Sequence, residues 1–114
     1  MGDWGENQAI HFLRRHGFEV VDKNFFTPYG ELDIVAKKGN DIYFVEVKTR
    51  RDGQLARDQA IDAIKIRKLE KTARVYCFKR QIPVGEVSIL FAGMIIFVDK
   101  IRHRAKIRFV VLNP

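Results

Sequence analysis

Apolar positions along the chain change period several times, and each change marks an element. Ala9, Ile10 and Leu13 recur at three- and four-residue spacing, which places them on one face of a helix. Asp3 followed by Glu6 has the form of a capping box with Asp at the cap, and Gly17 supplies a stop. The pattern predicts a helix over roughly residues 4–16. Residues 18–23 are short and β-branched and read as a strand, and Asn24, Pro28 and Gly30 mark a turn. Residues 31–38 and 42–49 read as two further strands joined at Gly39-Asn40, and Arg51-Asp52-Gly53 breaks the pattern.

A second helix is predicted from a cap at Asp62 to about Arg80, because Ile66, Leu69, Ala73, Tyr76 and Cys77 fall on one apolar face. Pro83 and Gly85 end it. Residues 87–92, 94–98 and 106–112 read as three more strands. The order helix, strands, helix, strands belongs to the α/β or α+β class. Ile34 and Ala36 fall on one side of the second strand, while Val35, Ile42 and Phe44 are distributed over both sides. Such strands suit a central sheet flanked by helices.

With 114 residues, 46% of them hydrophobic, the chain is expected to form one domain over residues 1–114 with a single core. It contains no repeat or linker-like tract. No run approaches the ~18 to 20 uncharged apolar residues of a membrane helix, and Asp3, Glu6 and Arg14 occupy the region where a signal peptide is apolar. A cytoplasmic protein without a membrane partner is expected. Cys77 is the one cysteine, which excludes an intramolecular disulfide and a cysteine zinc site and leaves it the part of a buried bystander.

Charge changes the picture. The net charge of +7 is unevenly placed: residues 1–46 carry 5 basic and 8 acidic side chains, residues 47–80 carry 11 and 4, and residues 81–114 carry 5 and 2. A basic excess concentrated in one stretch points to an anionic partner. Arg50 and Arg51, with Lys65, Arg67, Lys68 and Lys71 on the second helix, are the candidate phosphate contacts, and Arg74 lies among them.

The acidic residues carry the candidate chemistry. A two-residue turn at Gly39-Asn40 opposes Lys38 with Asp41 and, counting back, Asp33 with Glu46 and Glu31 with Lys48. Alternation puts all four ionisable groups on one face. Carboxylates opposed at Cα separations of ~4.5–5.5 Å repel unless a proton or cation lies between them. Oxygen donors suit Mg²⁺ or Mn²⁺, whereas zinc favours His or Cys, and His11, His16 and His103 are not spaced to join. Lys48 is placed to meet an anion held there. Glu31 reads as an ordinary partner of Lys48 and is left out of the catalytic set.

Residues 30–50, GELDIVAKKGNDIYFVEVKTR, resemble the D…(D/E)xK core of the PD-(D/E)xK nuclease superfamily. More closely, Gly5-Glu6, Ala9, Leu13, Gly17, Asn24, Gly30-Glu31-Leu32-Asp33 and Phe44-Val45-Glu46-Val47-Lys48 resemble the YraN family, a bacterial group related to Holliday-junction-resolvase-like endonucleases. The likeness covers about residues 2–80. It implies a restriction-endonuclease-like, resolvase-like central mixed sheet flanked by helices. It also implies a catalytic set of Glu6, Asp33, Glu46 and Lys48, with Asp33, Glu46 and the Val47 carbonyl as metal ligands and Lys48 as the catalytic lysine. Leu32 stands where the superfamily name has proline, and Ser88 where the later strand often has Asp.

The leading expectation is therefore a Mg²⁺- or Mn²⁺-dependent endonuclease hydrolysing phosphodiester bonds in DNA, including branched or structured DNA. The alternatives are a nucleic-acid-binding protein of the same fold without cleavage, and a module whose basic face meets an acidic protein. Resolvase-like relatives act as two-fold dimers, so a homodimer is one expectation. The apolar run Ile95, Ile96, Phe97 and Val98 serves either such an interface or, more simply, the core.

Overall fold

In the computed structural model, which describes residues 2–51, 63–99 and 101–112 and the side chains of residues 4–50, 67–99 and 101–112, the predicted punctuation is largely realised. Helix α1 (Gly2–Arg15) ends at Gly17, whose φ of 84° lies in the left-handed region. There the Gly17 N–H donates to the Arg14 carbonyl and the Phe18 N–H to the Leu13 carbonyl, closing the last turn. The helix starts earlier than predicted and includes Asp3 rather than being capped by it. Its first turn is packed so closely that a Cβ at Gly5 would lie 2.6 Å from the Thr49 hydroxyl.

Five strands follow the order β1 (Glu19–Thr27), β2 (Gly30–Lys38), β3 (Asp41–Arg51), β4 (Ser88–Asp99) and β5 (Arg104–Val111), and they lie in the sheet in that same sequence. Pairing is antiparallel except between β3 and β4, which are parallel. The connection between those two includes helix α2 (Ala63–Lys79), as a parallel pair requires a crossover. The proposed cap Asp62 lies outside the described residues. The described residues thus form a mixed α/β fold with a five-stranded mixed sheet and two helices.

Two strand assignments differ from the expectation. Residues 24–27 are not part of a turn but extend β1, and the reversal is confined to Pro28-Tyr29. The strand absorbs its irregularities internally, as a register shift between Val20 and Asp22 and as a φ of 53° at Asn24. Residues 87–92 and 94–98 are not two strands. Residues 88–99 form the single strand β4, because Gly93 sits within an unbroken parallel ladder from Asp41–Ser88 to Arg51–Val98.

Among the described residues, one helix packs on each face of the sheet. On one face, Ala9, Ile10 and Leu13 pack with Ile34, Ala36, Val45, Ala92, Met94 and Ile96. On the other, Leu69, Ala73, Tyr76 and Cys77 of α2 pack with Leu32, Val35, Ile42 and Phe44. Burial of side chains such as Phe44 and Leu13 stabilises the fold by about 1.5–3 kcal/mol each. Ile95, Ile96 and Phe97 are buried, and burial raises the pKa of the Cys77 thiol. The end of α2 is tied to β1 by Arg80, whose guanidinium donates twice to Asp22 Oδ2, at 3.0 and 3.2 Å, and lies over the Phe25 and Tyr76 rings.

Candidate active site

The β2–β3 hairpin has the predicted register at its turn, with Lys38 opposite Asp41, Val35 opposite Phe44 and Ile34 opposite Val45. The ladder ends there. Asp33 and Glu46 are not a directly opposed pair, nor are Glu31 and Lys48, which corrects the expectation from counting back along regular strands. The departure has a local origin. Leu32 packs on the α2 side of the sheet and Ile34 on the α1 side, although residues two apart in a regular strand share a face. Across from this point, between the pairs Lys23–Ile34 and Phe25–Leu32, stands Asn24 with its positive φ. The twisted backbone lets the Asp33 carboxylate accept a hydrogen bond from the Val47 N–H at 2.8 Å, where a backbone partner would otherwise lie.

Around Asp33 the chain gathers further carboxylates. One oxygen each from Glu6, Glu31 and Asp33 lie within 4.8 Å of one another. Glu6 arrives from α1, which the close Gly5–Thr49 approach brings down onto the sheet. Glu46 lines the same cavity of about 220 Å³ as Glu31 and Asp33, with Gly30 and, from α2, Lys68 and Thr72. Thr72 is buried, and its hydroxyl donates to the Lys68 carbonyl. Gly30, at a φ of 151°, brings the start of β2 under it: a Cβ there would lie 3.5 Å from the Thr72 hydroxyl.

Burial raises the Asp33 carboxyl to a pKa of about 6, the Val47 N–H opposes the rise, and the charges of Glu31, Glu46 and Glu6 add to it. Glu31, left out of the catalytic set on sequence grounds, therefore belongs to the cluster. Its position two residues before Asp33 was the available signal. Lys48 is half-buried and follows Glu46 by two residues along β3, on the same sheet face. Val47 meets Asp33 through its N–H.

The basic residues are less concentrated. Arg67, Lys68 and Lys71 are exposed on α2; Lys68 borders the carboxylates, and the Lys71 ammonium lies 5.9 Å from the centre of the Tyr29 ring. Arg50 is half-buried and donates to the Thr49 carbonyl at 3.0 Å. The side chains of Arg51 and Lys65 lie outside the described residues. A larger, mainly apolar groove of about 660 Å³ runs between α2 and Ile89 and Phe91 of β4, away from the carboxylate cluster.

The acidic cluster contains oxygen donors only, and His16 is engaged elsewhere, with its ring bonded to the Phe12 carbonyl at 2.8 Å. Carboxylates crowded around a partly buried Asp33 suit a small hard cation of the Mg²⁺ or Mn²⁺ type. Among the described residues no helix is long and apolar enough to cross a membrane.

Comparison with known proteins places the chain in a family. A UPF0102 protein of Syntrophomonas wolfei is 42% identical over 96 residues, covering 79% of this chain and 84% of the relative. One of Thermotoga maritima is 42% identical over 84 residues, covering 72% and 77%. A third, of Geobacter metallireducens, is 34% identical over 115 residues, covering 96% and 94%. Residues 5–111, which include Glu6, Glu31, Asp33, Glu46 and Lys48, match the family described as uncharacterised protein family UPF0102, and the chain belongs to that YraN-like family.

Proposed function

We propose that the protein is a Mg²⁺- or Mn²⁺-dependent endonuclease that hydrolyses phosphodiester bonds in DNA, with a resolvase-like variant of the restriction-endonuclease fold. The observation that carries this reading is the convergence of Glu6, Glu31 and Asp33, with Glu46 in the same cavity, on a carboxyl whose ionisation is opposed by burial and by its neighbours. Such a cluster is relieved by a hard cation. Asp33 and Glu46, joined by Glu6 and Glu31, hold that ion in this reading, and the Val47 carbonyl is a further donor. When bound, the ion supplies Lewis-acid stabilisation of the phosphate oxygens. The Val47 N–H fixes the Asp33 carboxylate in place. Lys48 adds a positive charge for the phosphate, and exposed Arg67, Lys68 and Lys71 meet the flanking backbone.

A cleavage panel of branched, nicked and linear DNA with and without Mn²⁺, run beside calorimetric Mn²⁺ titration, tests the reading. Wild type should bind Mn²⁺ and cut at least one substrate. Glu46→Gln should lose both Mn²⁺ binding and cleavage while retaining DNA binding. Lys48→Ala should retain Mn²⁺ binding but lose cleavage, because a lysine ammonium donates hydrogen bonds and is not a ligand. Wild-type protein that neither binds Mn²⁺ nor cuts any DNA would remove the nuclease reading. The basic face of α2 would then favour a DNA-binding protein, recognisable by affinity that falls steeply with salt.

A further inference from the structure

The first turn of α1 has a second working side. At about 100° per residue, Trp4 and Glu6 diverge by about 200° around the helix, so they leave Gly5 in opposite directions. The Glu6 carboxylate joins Glu31 and Asp33. The Trp4 side chain, 43% exposed, lines a separate groove of about 580 Å³ with Gln8, Val98, Asp99, His103 and Arg104. Gln8 stands one helical turn beyond Trp4 on the same face. The opposite wall is the reversal between β4 and β5, whose shape is set locally. Asp99 Oδ1 accepts from the N–H groups of Ile101 and Arg102 at 3.1 and 3.2 Å, and His103 is held at a φ of 50°. The Asp99 charge is thus engaged within the turn, while His103 and Arg104 have no ion-pair partner among the described residues.

We propose that this groove binds one unpaired nucleotide, with the base stacked on the indole of Trp4 and its phosphate met by Arg104 and His103. A flat aromatic face beside an arginine guanidinium and a hydrogen-bonding imidazole is the chemistry by which single-stranded nucleic acid is held, and the volume is that of a small-ligand cleft. A duplex keeps both faces of its internal bases stacked and cannot offer one to the indole. Resting on the nucleic-acid reading above, the inference narrows the substrate class: DNA that carries a single-stranded segment in addition to the phosphate that lies at the carboxylates. Trp4 and Glu6, on opposite sides of the same helical turn, would hold separate parts of one strand.

Because Trp4 is the chain's one tryptophan, its emission reports on this groove alone. The test titrates the full chain, in EDTA and at low salt, with short oligothymidylate and with a blunt duplex of equal length. Oligothymidylate should quench the emission to saturation, and the duplex should do so at least about 10-fold more weakly. With a labelled oligothymidylate followed by anisotropy, Arg104→Ala and Trp4→Ala should each weaken binding about 10-fold, and Trp4→Phe should restore most of it. The proposal is overturned if the anisotropy rises while Trp4 emission stays unchanged, if duplex quenches equally, or if oligothymidylate does not bind. It is also overturned if the emission changes with protein concentration alone, which would mean that a second copy fills the groove. Neither cleavage nor metal binding is read. A chain that stacks oligothymidylate but cuts nothing keeps this site and loses the nuclease, and one that cuts DNA without quenching does the reverse.

Discussion

The two ends of the β2–β3 hairpin are built from the same two strands and behave oppositely. Near the Gly39-Asn40 turn the ladder is complete, and Val35, Phe44, Ala36 and Ile42 are buried between two helices. Six residues from the turn, at Asp33 and Glu46, backbone pairing has stopped and carboxylates collect instead. One end lowers the free energy of the fold. The other raises it, since an ionised Asp33 is both partly desolvated and surrounded by like charge. Placing the unfavourable end directly beside the zipped one holds the acidic side chains in a fixed arrangement that their mutual repulsion would otherwise disperse.

The largest expected effect breaks the stabilising end. Phe44→Ala removes a fully buried ring that stacks on Phe91 and meets Tyr76 edge-on, and should cost about 3–5 kcal/mol in urea unfolding. That loss should be the same in EDTA and in Mn²⁺; a metal-dependent loss would show that the two ends are not separate.

Asp33→Asn works on the other end. It keeps an acceptor for the Val47 N–H while removing the charge, so in EDTA at pH 8 the variant should be more stable than wild type by about 1–2 kcal/mol, a figure reduced from the full linkage value for partial solvent screening. It should also lose any rise in melting temperature with Mn²⁺. Equal stabilities in EDTA would show that the cluster is not strained.

The same carboxyl sets a pH dependence. Its folded pKa of about 6 exceeds the ordinary value of 3.8, so folding takes up a proton between those values. Its stabilising contribution is fully present below 3.8 and is lost as pH rises through about 6. The stability difference between Asp33→Asn and metal-free wild type should therefore be near zero at the acid end and open across this window, as read by urea midpoints at a series of pH values. A gap already open at the acid end would assign the strain to a different group.

The smallest effect concerns membership of the cluster. Glu31→Gln should raise stability in EDTA by about 0.2–1 kcal/mol and weaken Mn²⁺ binding in calorimetry. Unchanged Mn²⁺ affinity would return Glu31 to the part of an ordinary surface residue.

Local rules carried much of this in the sequence. Helical spacing of Ala9, Ile10 and Leu13, the Gly17 stop and the Gly39-Asn40 turn depend on neighbours a few residues apart, and each is realised in the structure. The turn also determined which residues pair beside it, because two residues leave one register open. What counting along the chain did not determine is where that register stops. The end of the ladder at Ile34–Val45 coincides with the left-handed Asn24 on the neighbouring strand and with the switch of Leu32 to the α2 side. Both depend on packing between residues remote in sequence. The joining of residues 88–99 into one strand likewise comes from the long parallel ladder with β3, which outweighs the local weakness of Gly93. Most of the candidate acidic residues were legible by type and spacing, but their grouping was decided in three dimensions. Glu6 reaches Asp33 only because Gly5 lets α1 press onto Thr49, and Glu31 joins them only because the strand twists at Asp33.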